Sequence, residues 1–206
     1  MGNRNNSNII RHVKYGEHFD DFPTPPWATR AFFEYVAPHL DGGGLLFLEP
    51  AAGRGHMVRT ITERGFQCSG YDARDYGAEY EVADYTDPMT NYPAHDVMLT
   101  NPPYKFAQTF VERGLREARV GVGVLARTLW AESAVRYRAI FRDRPPFVIA
   151  IFEGRVPAET GGLRRSGAMM SHSWFWWDKR FPRGVTRFAW IPPEAQELLE
   201  KDEDYA

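Results

Sequence analysis

The chain has 206 residues, which is long enough for one domain with a substantial core, and its 43% hydrophobic and 25% charged residues are typical of a globular protein. Its single cysteine, Cys68, excludes an internal disulfide and a cysteine-rich metal site. No apolar run is long enough to span a bilayer and no N-terminal signal pattern is present, so we expect a cytoplasmic protein. The net charge of -2 does not indicate nucleic-acid binding by itself.

The N-terminal part divides into a polar arm and the start of a helix. Residues 1–15 are polar and rich in asparagine, which predicts a flexible arm. The segment Phe22-Pro23-Thr24-Pro25-Pro26-Trp27 then leads into a predicted helix over 28–37. Thr24 is a plausible N-cap of this helix, because threonine is favoured at that position and proline in the first turn.

A predicted parallel strand over 45–48 runs into a loop of glycines and small residues. The loop begins at Glu49 and Pro50, and its glycines and small residues, among them Ala51, Gly53 and Gly55, let the backbone approach a ligand closely. The loop lacks the full Gly-x-Gly-x-x-Gly pattern, so a dinucleotide is not specifically indicated. Glu49 puts negative charge where a phosphate-binding loop would avoid it. This favours a ligand with an ammonium or sulfonium group.

Two acidic residues follow the next two predicted strands. Asp72 ends the strand over 67–71, about 20 positions past the glycine loop, where ribose hydroxyls are bound in nucleotide-binding βα units. Asp84 follows a short strand over 81–83 and could accept a hydrogen bond from an adenine amino group. These positions predict a nucleoside-binding edge of the sheet.

A turn with two prolines follows the fourth predicted strand, over 96–99. Pro102 and Pro103 prevent either a strand or a helix from continuing, so the chain must turn where open α/β sheets place their ligands. The turn holds the Asn101 side chain and the Pro102 carbonyl close together, as two acceptors for one NH2 group. Tyr104 adds a flat face on which a planar substrate can stack. We interpret Asn101-Pro102-Pro103-Tyr104 as a site for a planar amine.

The C-terminal half supplies the remaining elements and a basic segment. Helices are predicted over 106–116 and 131–141, and strands over 120–125, 147–152, 173–177 and 187–191. The loop over 153–172 is long enough to be a candidate substrate loop. Four basic residues lie in this loop or near the last turn: Arg164, Arg165, Lys179 and Arg183. They fit a solvated charged surface and a phosphate-contacting rim equally well.

The glycine loop, the two acids and the Asn-Pro-Pro-Tyr turn together resemble class I S-adenosylmethionine-dependent methyltransferases. They are most similar to the N6-adenine DNA methyltransferases, in the small form often carried by phages and mobile elements. The resemblance covers about 22–191. It implies one Rossmann-like α/β domain over 16–193, with a mostly parallel seven-stranded sheet, an antiparallel C-terminal hairpin and helices on both faces. Residues 194–206 would form an acidic tail.

The resemblance also implies roles for individual residues. Asp72 would hold the ribose of S-adenosylmethionine, Asp84 its adenine, and Phe22, Thr24 and Pro25 would close over its methionine part. The full implied cofactor set is Phe22, Thr24, Pro25, Glu49, Pro50, Ala51, Gly53, Gly55, Asp72, Asp84 and Asn101. The implied catalytic set is Asn101, Pro102, Pro103 and Tyr104, and the implied substrate set is Tyr104, Arg164, Arg165, Lys179 and Arg183. No metal is implied.

The substrate stays open at this level. N6 of adenine in DNA is preferred, but the amide of a protein glutamine fits the same two acceptors, and an RNA amine is a further candidate. The net charge slightly favours a protein substrate, whereas the C-terminal aromatic and arginine residues slightly favour a nucleic acid. A binding module that keeps the fold without the chemistry is the alternative from another class, and the intact Asn101–Tyr104 turn argues against it.

Overall fold

The computed structural model describes residues 23–40, 44–154, 156, 171–182 and 184–205. The predicted arm over 1–15 and most of the candidate loop over 153–172 lie outside these ranges. Four predicted site residues also lie outside the described residues: Phe22, Arg164, Arg165 and Arg183.

An eight-stranded sheet in the order β3-β2-β1-β4-β5-β7-β6-β8 organises the described chain. Its strands are β1 (Leu46–Glu49), β2 (Gln67–Asp72), β3 (Glu81–Val82), β4 (Val97–Thr100), β5 (Gly121–Arg127), β6 (Val148–Phe152), β7 (His172–Asp178) and β8 (Arg187–Ile191). Neighbouring strands are parallel except where β7 pairs with β5 and β6. The mostly parallel α/β architecture predicted from the sequence is therefore confirmed.

The number of strands and the pairing at one edge differ from the prediction. The sheet has eight strands instead of seven, since each of the eight segments predicted as strands joins it, and β8 pairs with β6 at what would otherwise be the edge. The antiparallel element is present, but β7 lies between β5 and β6, so the last two strands are not paired with each other. All of β7 is buried, as expected of a strand covered on both faces, whereas most of β8 is accessible to solvent.

Helices cover both faces of the sheet, as predicted. They are α1 (Pro26–Ala31, continued by a wider turn over Phe32–Val36), α2 (His56–Glu63), α3 (Ala107–Glu117), α4 (Ala134–Arg136, continued over Tyr137–Phe141) and α5 (Ala195–Leu199). One apolar cluster joins a sheet face to α1, α2 and α5, and a second joins the other face to α3 and α4. Among the described residues, no helix combines the length and apolar character needed to cross a bilayer.

The C-terminal segment predicted as an acidic tail is packed against α1. Ala195 is 1% exposed and belongs to the core cluster of this face. Arg30 of α1 is also buried, and its guanidinium donates to Asp204 at 2.6 and 2.7 Å and to the Leu199 carbonyl at 2.7 Å. The described part of this segment is therefore tied to the domain by a buried ion pair.

Candidate active site

A cavity of about 210 Å³ opens where β1, β2 and β4 end. Because these strands are parallel, their carboxyl ends meet at one edge of the sheet, where α/β proteins bind ligands. Its walls include these residues predicted from the sequence: Thr24, Glu49, Pro50, Ala51, Gly53, Asp72, Asp84, Asn101, Pro102, Pro103 and Tyr104. The fold thus brings the glycine loop, both acids and the proline-rich corner to a single cavity.

The glycine loop is held by hydrogen bonds that its backbone amides donate to the end of β2. The Ala52 amide donates to the Tyr71 carbonyl at 2.8 Å, and the Gly53 amide donates to the Asp72 carboxylate at 2.9 Å. Gly53 and Gly55 have φ angles of 51° and 81°, which residues other than glycine rarely adopt. Gly55 precedes α2 and does not line the cavity, so it shapes the loop without facing a ligand.

Glu49 is a buried carboxyl group at the wall of this cavity. It is 1% exposed, and its side chain accepts a hydrogen bond from the Ala51 amide at 2.9 Å. Burial raises the pKa of Glu49 to about 8, since the charged form loses its hydration. Burial also raises the pKa of Asp72, against the opposing effect of its bonds from the Gly53 and Arg74 amides. Two such carboxyls fit a ligand with a positive charge and hydroxyl donors.

The loop after β3 presents Asp84 to the cavity. The Thr86 amide and hydroxyl both donate to Asp84, at 2.8 and 2.7 Å.

Arg113 of α3 holds the same loop by donating to the carbonyls of Tyr85, Asp87 and Thr90. Its guanidinium also lies 4.6 and 4.9 Å from the ring centroids of Tyr85 and Tyr92. Arg113 was not predicted from the sequence as part of the site.

The corner at Asn101 faces the cavity and is anchored to the segment before α1. The Asn101 side-chain nitrogen donates to the Thr24 hydroxyl at 3.0 Å. Thr24 is not the N-cap that was predicted, because the helix begins one residue later: Pro25 takes that position, without a side-chain capping bond. Pro25 is buried beside the cavity but does not line it.

Tyr104 is positioned by two residues from adjacent strands. Its hydroxyl lies 3.2 Å from His172 Nε2, and the Arg127 guanidinium carbon lies 4.3 Å from its ring centroid. Arg127 ends β5 and is directly opposite His172, which begins β7. Neither residue was predicted as part of the site, because only the antiparallel register of β5 and β7 brings them together.

Lys179 is not brought to the cavity. It follows Asp178, which pairs with Gly121 at the amino-terminal end of β5, so it lies at the opposite edge of the sheet. Its amide donates to the Val120 carbonyl at 2.8 Å, and its ammonium group donates to the Ala118 carbonyl. The reason is the direction of β7: an antiparallel strand ends where its parallel neighbours begin.

No protein-family model and no curated protein matches this sequence, but solved structures do. The chain is similar to the methyltransferase subunit of a type I restriction-modification system from Streptococcus thermophilus, with a TM-score of 0.58 and 12% identity over 89% of this chain and 49% of that one. It thus spans about half the length of that subunit.

Two shorter proteins match over most of their own length. A putative RNA methyltransferase from Pyrococcus horikoshii has a TM-score of 0.58 and 12% identity, over 77% of this chain and 87% of that one. The magnesium protoporphyrin IX methyltransferase from Synechocystis PCC 6803, solved with bound SAM, has a TM-score of 0.51 and 12% identity, over 85% of both chains. This chain therefore has the Rossmann-like fold of S-adenosylmethionine-dependent methyltransferases.

Proposed function

We propose that this protein is an S-adenosylmethionine-dependent methyltransferase that acts on an exocyclic amine, namely N6 of adenine in DNA. One observation carries the proposal: the Asn101-Pro102 corner and the Glu49–Gly53 loop line the same cavity. A pair of acceptors suited to an NH2 group therefore lies beside a pocket suited to a cationic nucleoside.

The residues of the cavity fit the cofactor. When bound, S-adenosylmethionine supplies an electrophilic methyl group on a sulfonium. The buried Glu49 carboxyl would face its positive charge, Asp72 its ribose hydroxyls and Asp84 the amino group of its adenine. The close backbone of Ala51 and Gly53 leaves room for the ligand at the end of β1.

The corner at Asn101 would activate and orient the substrate amine. An adenine N6 amine is a poor nucleophile, because its lone pair is delocalised into the ring. If the Asn101 oxygen and the Pro102 carbonyl accept its two hydrogens, they favour a pyramidal nitrogen whose lone pair points to the methyl group. The nitrogen becomes positive during attack, so these acceptors bind the transition state more tightly than the ground state.

Charged residues at the cavity mouth favour a nucleic acid over a protein amide. Arg54, Arg74 and Lys105 line the cavity and are exposed, and the exposed Arg127 lies against Tyr104. These exposed cations would contact a polyanion although the overall charge is -2. In a duplex, the target base would have to be flipped out to reach the corner, where Tyr104 can stack on it.

Transfer of a labelled methyl group from S-adenosylmethionine to DNA, RNA and protein, assayed in parallel, tests this function. We expect label at adenine N6 of DNA. Asn101→Ala should abolish transfer while calorimetry still detects cofactor binding, and Asn91→Ala, at an exposed position outside the cavity, should behave like the parent.

Three outcomes would contradict the proposal in different ways. Unchanged transfer by Asn101→Ala would exclude the assigned role of the corner. Label on protein glutamine or only on RNA would select one of the other amine substrates. Cofactor binding without transfer to any of the three polymers would indicate a binding module.

A further inference from the structure

Arg127 is an exposed cation at the edge of the candidate active site. It ends β5, and its guanidinium lies over one face of the Tyr104 ring, with 4.3 Å between the guanidinium carbon and the ring centroid. Within the part of the chain that the structure describes, its charge is not balanced by an ion pair with an acidic side chain. This cation–π contact with the ring holds the guanidinium at a defined place beside the cavity.

The chemistry of arginine makes this arrangement suited to a phosphate. A guanidinium stacks on an aromatic ring through its flat face, so its N–H donors point outward in the plane. That planar fork matches two oxygens of a phosphate. A lysine at the same position would provide the charge but neither the flat face nor the fork.

The position of Tyr104 connects this cation to the substrate. Its ring lines the cavity, and its hydroxyl lies 3.2 Å from His172 Nε2, so the ring is restrained at its edge and on one face. A base stacked on Tyr104 would carry its own backbone past the rim of the cavity, where Arg127 is exposed.

We propose that Arg127 binds a backbone phosphate next to the target nucleotide and, through the same stacking contact, positions Tyr104 for the base. The inference rests on the proposed function and extends it: the substrate is an amine within a polynucleotide strand, and Arg127 discriminates against a free nucleoside.

The test compares three variants of the full chain on an adenine-containing oligonucleotide and on adenosine, over a series of KCl concentrations. Arg127→Gln removes charge and stacking, and Arg127→Lys keeps the charge alone. Arg187→Gln is the matched control, because Arg187 is also exposed and lies over an aromatic ring, 5.9 Å from the Phe147 centroid, but at the opposite edge of the sheet. Cofactor affinity is measured by calorimetry for each.

For Arg127→Gln we expect kcat/KM on the oligonucleotide to fall at least about tenfold, mainly through KM, and the slope of log(kcat/KM) against log[KCl] to become shallower by about one. The decrease in kcat/KM on adenosine should be much smaller, and the affinity for the cofactor should not change. Arg127→Lys should restore the salt slope while kcat/KM stays below that of the parent, because the charge returns without the planar contact to Tyr104. Arg187→Gln should match the parent.

Two results would overturn the inference while the proposed function stands. In the first, Arg127→Gln has the same kcat/KM on the oligonucleotide as Arg187→Gln. In the second, it loses activity with an unchanged salt slope, which would make Arg127 a support for Tyr104 alone. The salt slope on the oligonucleotide distinguishes phosphate binding from support of Tyr104 even if activity on adenosine is too low to measure. Failure of the parent protein to methylate any oligonucleotide would instead refute the proposed function, and this inference with it.

Discussion

The side-chain nitrogen of Asn101 donates to the hydroxyl of Thr24 at 3.0 Å, and this bond joins residues that are 77 positions apart. The bond fixes the orientation of the Asn101 side-chain amide, because the amide nitrogen must face the Thr24 hydroxyl. With its NH2 group held by Thr24, the amide presents its oxygen in a fixed orientation, and an oxygen is what an incoming amine requires. Thr24 is 7% exposed, so water has little access to compete for the contact.

Thr24→Val should therefore impair turnover more than cofactor binding. Valine has nearly the same shape as threonine but cannot accept the hydrogen bond, so the Asn101 amide can rotate. We expect kcat to fall about three- to tenfold, in line with about 0.5–1.5 kcal/mol for one hydrogen bond. Steady-state kinetics and calorimetry measure the two effects. Thr24→Ser keeps the hydroxyl and should retain most activity; an equal loss in both variants would argue against this role.

Cofactor affinity should rise with pH. Burial raises the pKa of Glu49 to about 8, and the carboxyl must lose its proton to face a cation. We expect affinity to increase by up to about tenfold per pH unit below about pH 8 and to level off above it. Calorimetry in two buffers of different ionisation enthalpy would detect the released proton. Glu49→Gln should bind more weakly and lose this part of the pH dependence, whereas an affinity that falls with rising pH would contradict the assignment.

The same group affects the stability of the cofactor-free protein with the opposite trend. Its folded pKa of about 8 lies above the ordinary value of 4.5, so the folded state holds the proton more tightly than the unfolded state does. The contribution of Glu49 to stability is therefore complete below pH 4.5 and is lost as the pH rises through about 8. Thermal unfolding of Glu49→Gln should show a weaker decline over this range.

Asp204→Asn should destabilise the fold although it is remote in sequence from α1. The side chains of Arg30 and Asp204 are 6% and 3% exposed, and removing one partner leaves a buried charge poorly compensated. Since Glu63 still contacts Arg30 at 3.0 Å, we expect a loss of about 3 kcal/mol, at the lower end for buried pairs. Denaturant unfolding measures it. Adding Arg30→Met should recover part of the loss; a double variant less stable than Asp204→Asn would exclude the explanation.

The ion pair also gives a pH dependence. Burial alone would raise the pKa of Asp204, but the bonds from the Arg30 guanidinium and the Lys201 amide, together with the charges of both side chains, outweigh it and hold this pKa below the ordinary 3.8. The stabilising contribution is therefore present above pH 3.8 and is lost as the solution becomes more acidic. The difference in stability between Asp204→Asn and the parent should shrink in that range.

Gly123→Ala should destabilise the sheet next to the active-site corner. A Cβ on Gly123 would stand 2.5 Å from Leu99 Cδ1 and 3.0 Å from the Phe32 ring, both in the core. We expect a loss of about 1–3 kcal/mol from overpacking, seen as a lower Tm. Gly154→Ala is the control, because the nearest atoms to its added Cβ are 3.9 Å away. Equal Tm values for the two variants would show that the core relaxes around the added methyl group.

The sequence alone was enough to predict that several short segments meet at one cavity. Glycines permit the backbone of the loop at Gly53, prolines force the turn after Thr100, and acids at the ends of parallel strands meet at one edge. These constraints act within a few residues or follow from the direction of parallel strands. The pattern of residues therefore predicts that Glu49, Asp72, Asp84 and the Asn101 corner lie together.

The tertiary structure decided everything that depends on which distant segments become neighbours. It placed Thr24 against Asn101, Arg127 and His172 against Tyr104, and Lys179 at the far edge of the sheet. It also added β8 to the edge and buried Asp204 under Arg30. The physical reason is that strand order and register depend on how much apolar surface the whole core buries. A local stretch of residues does not determine that total.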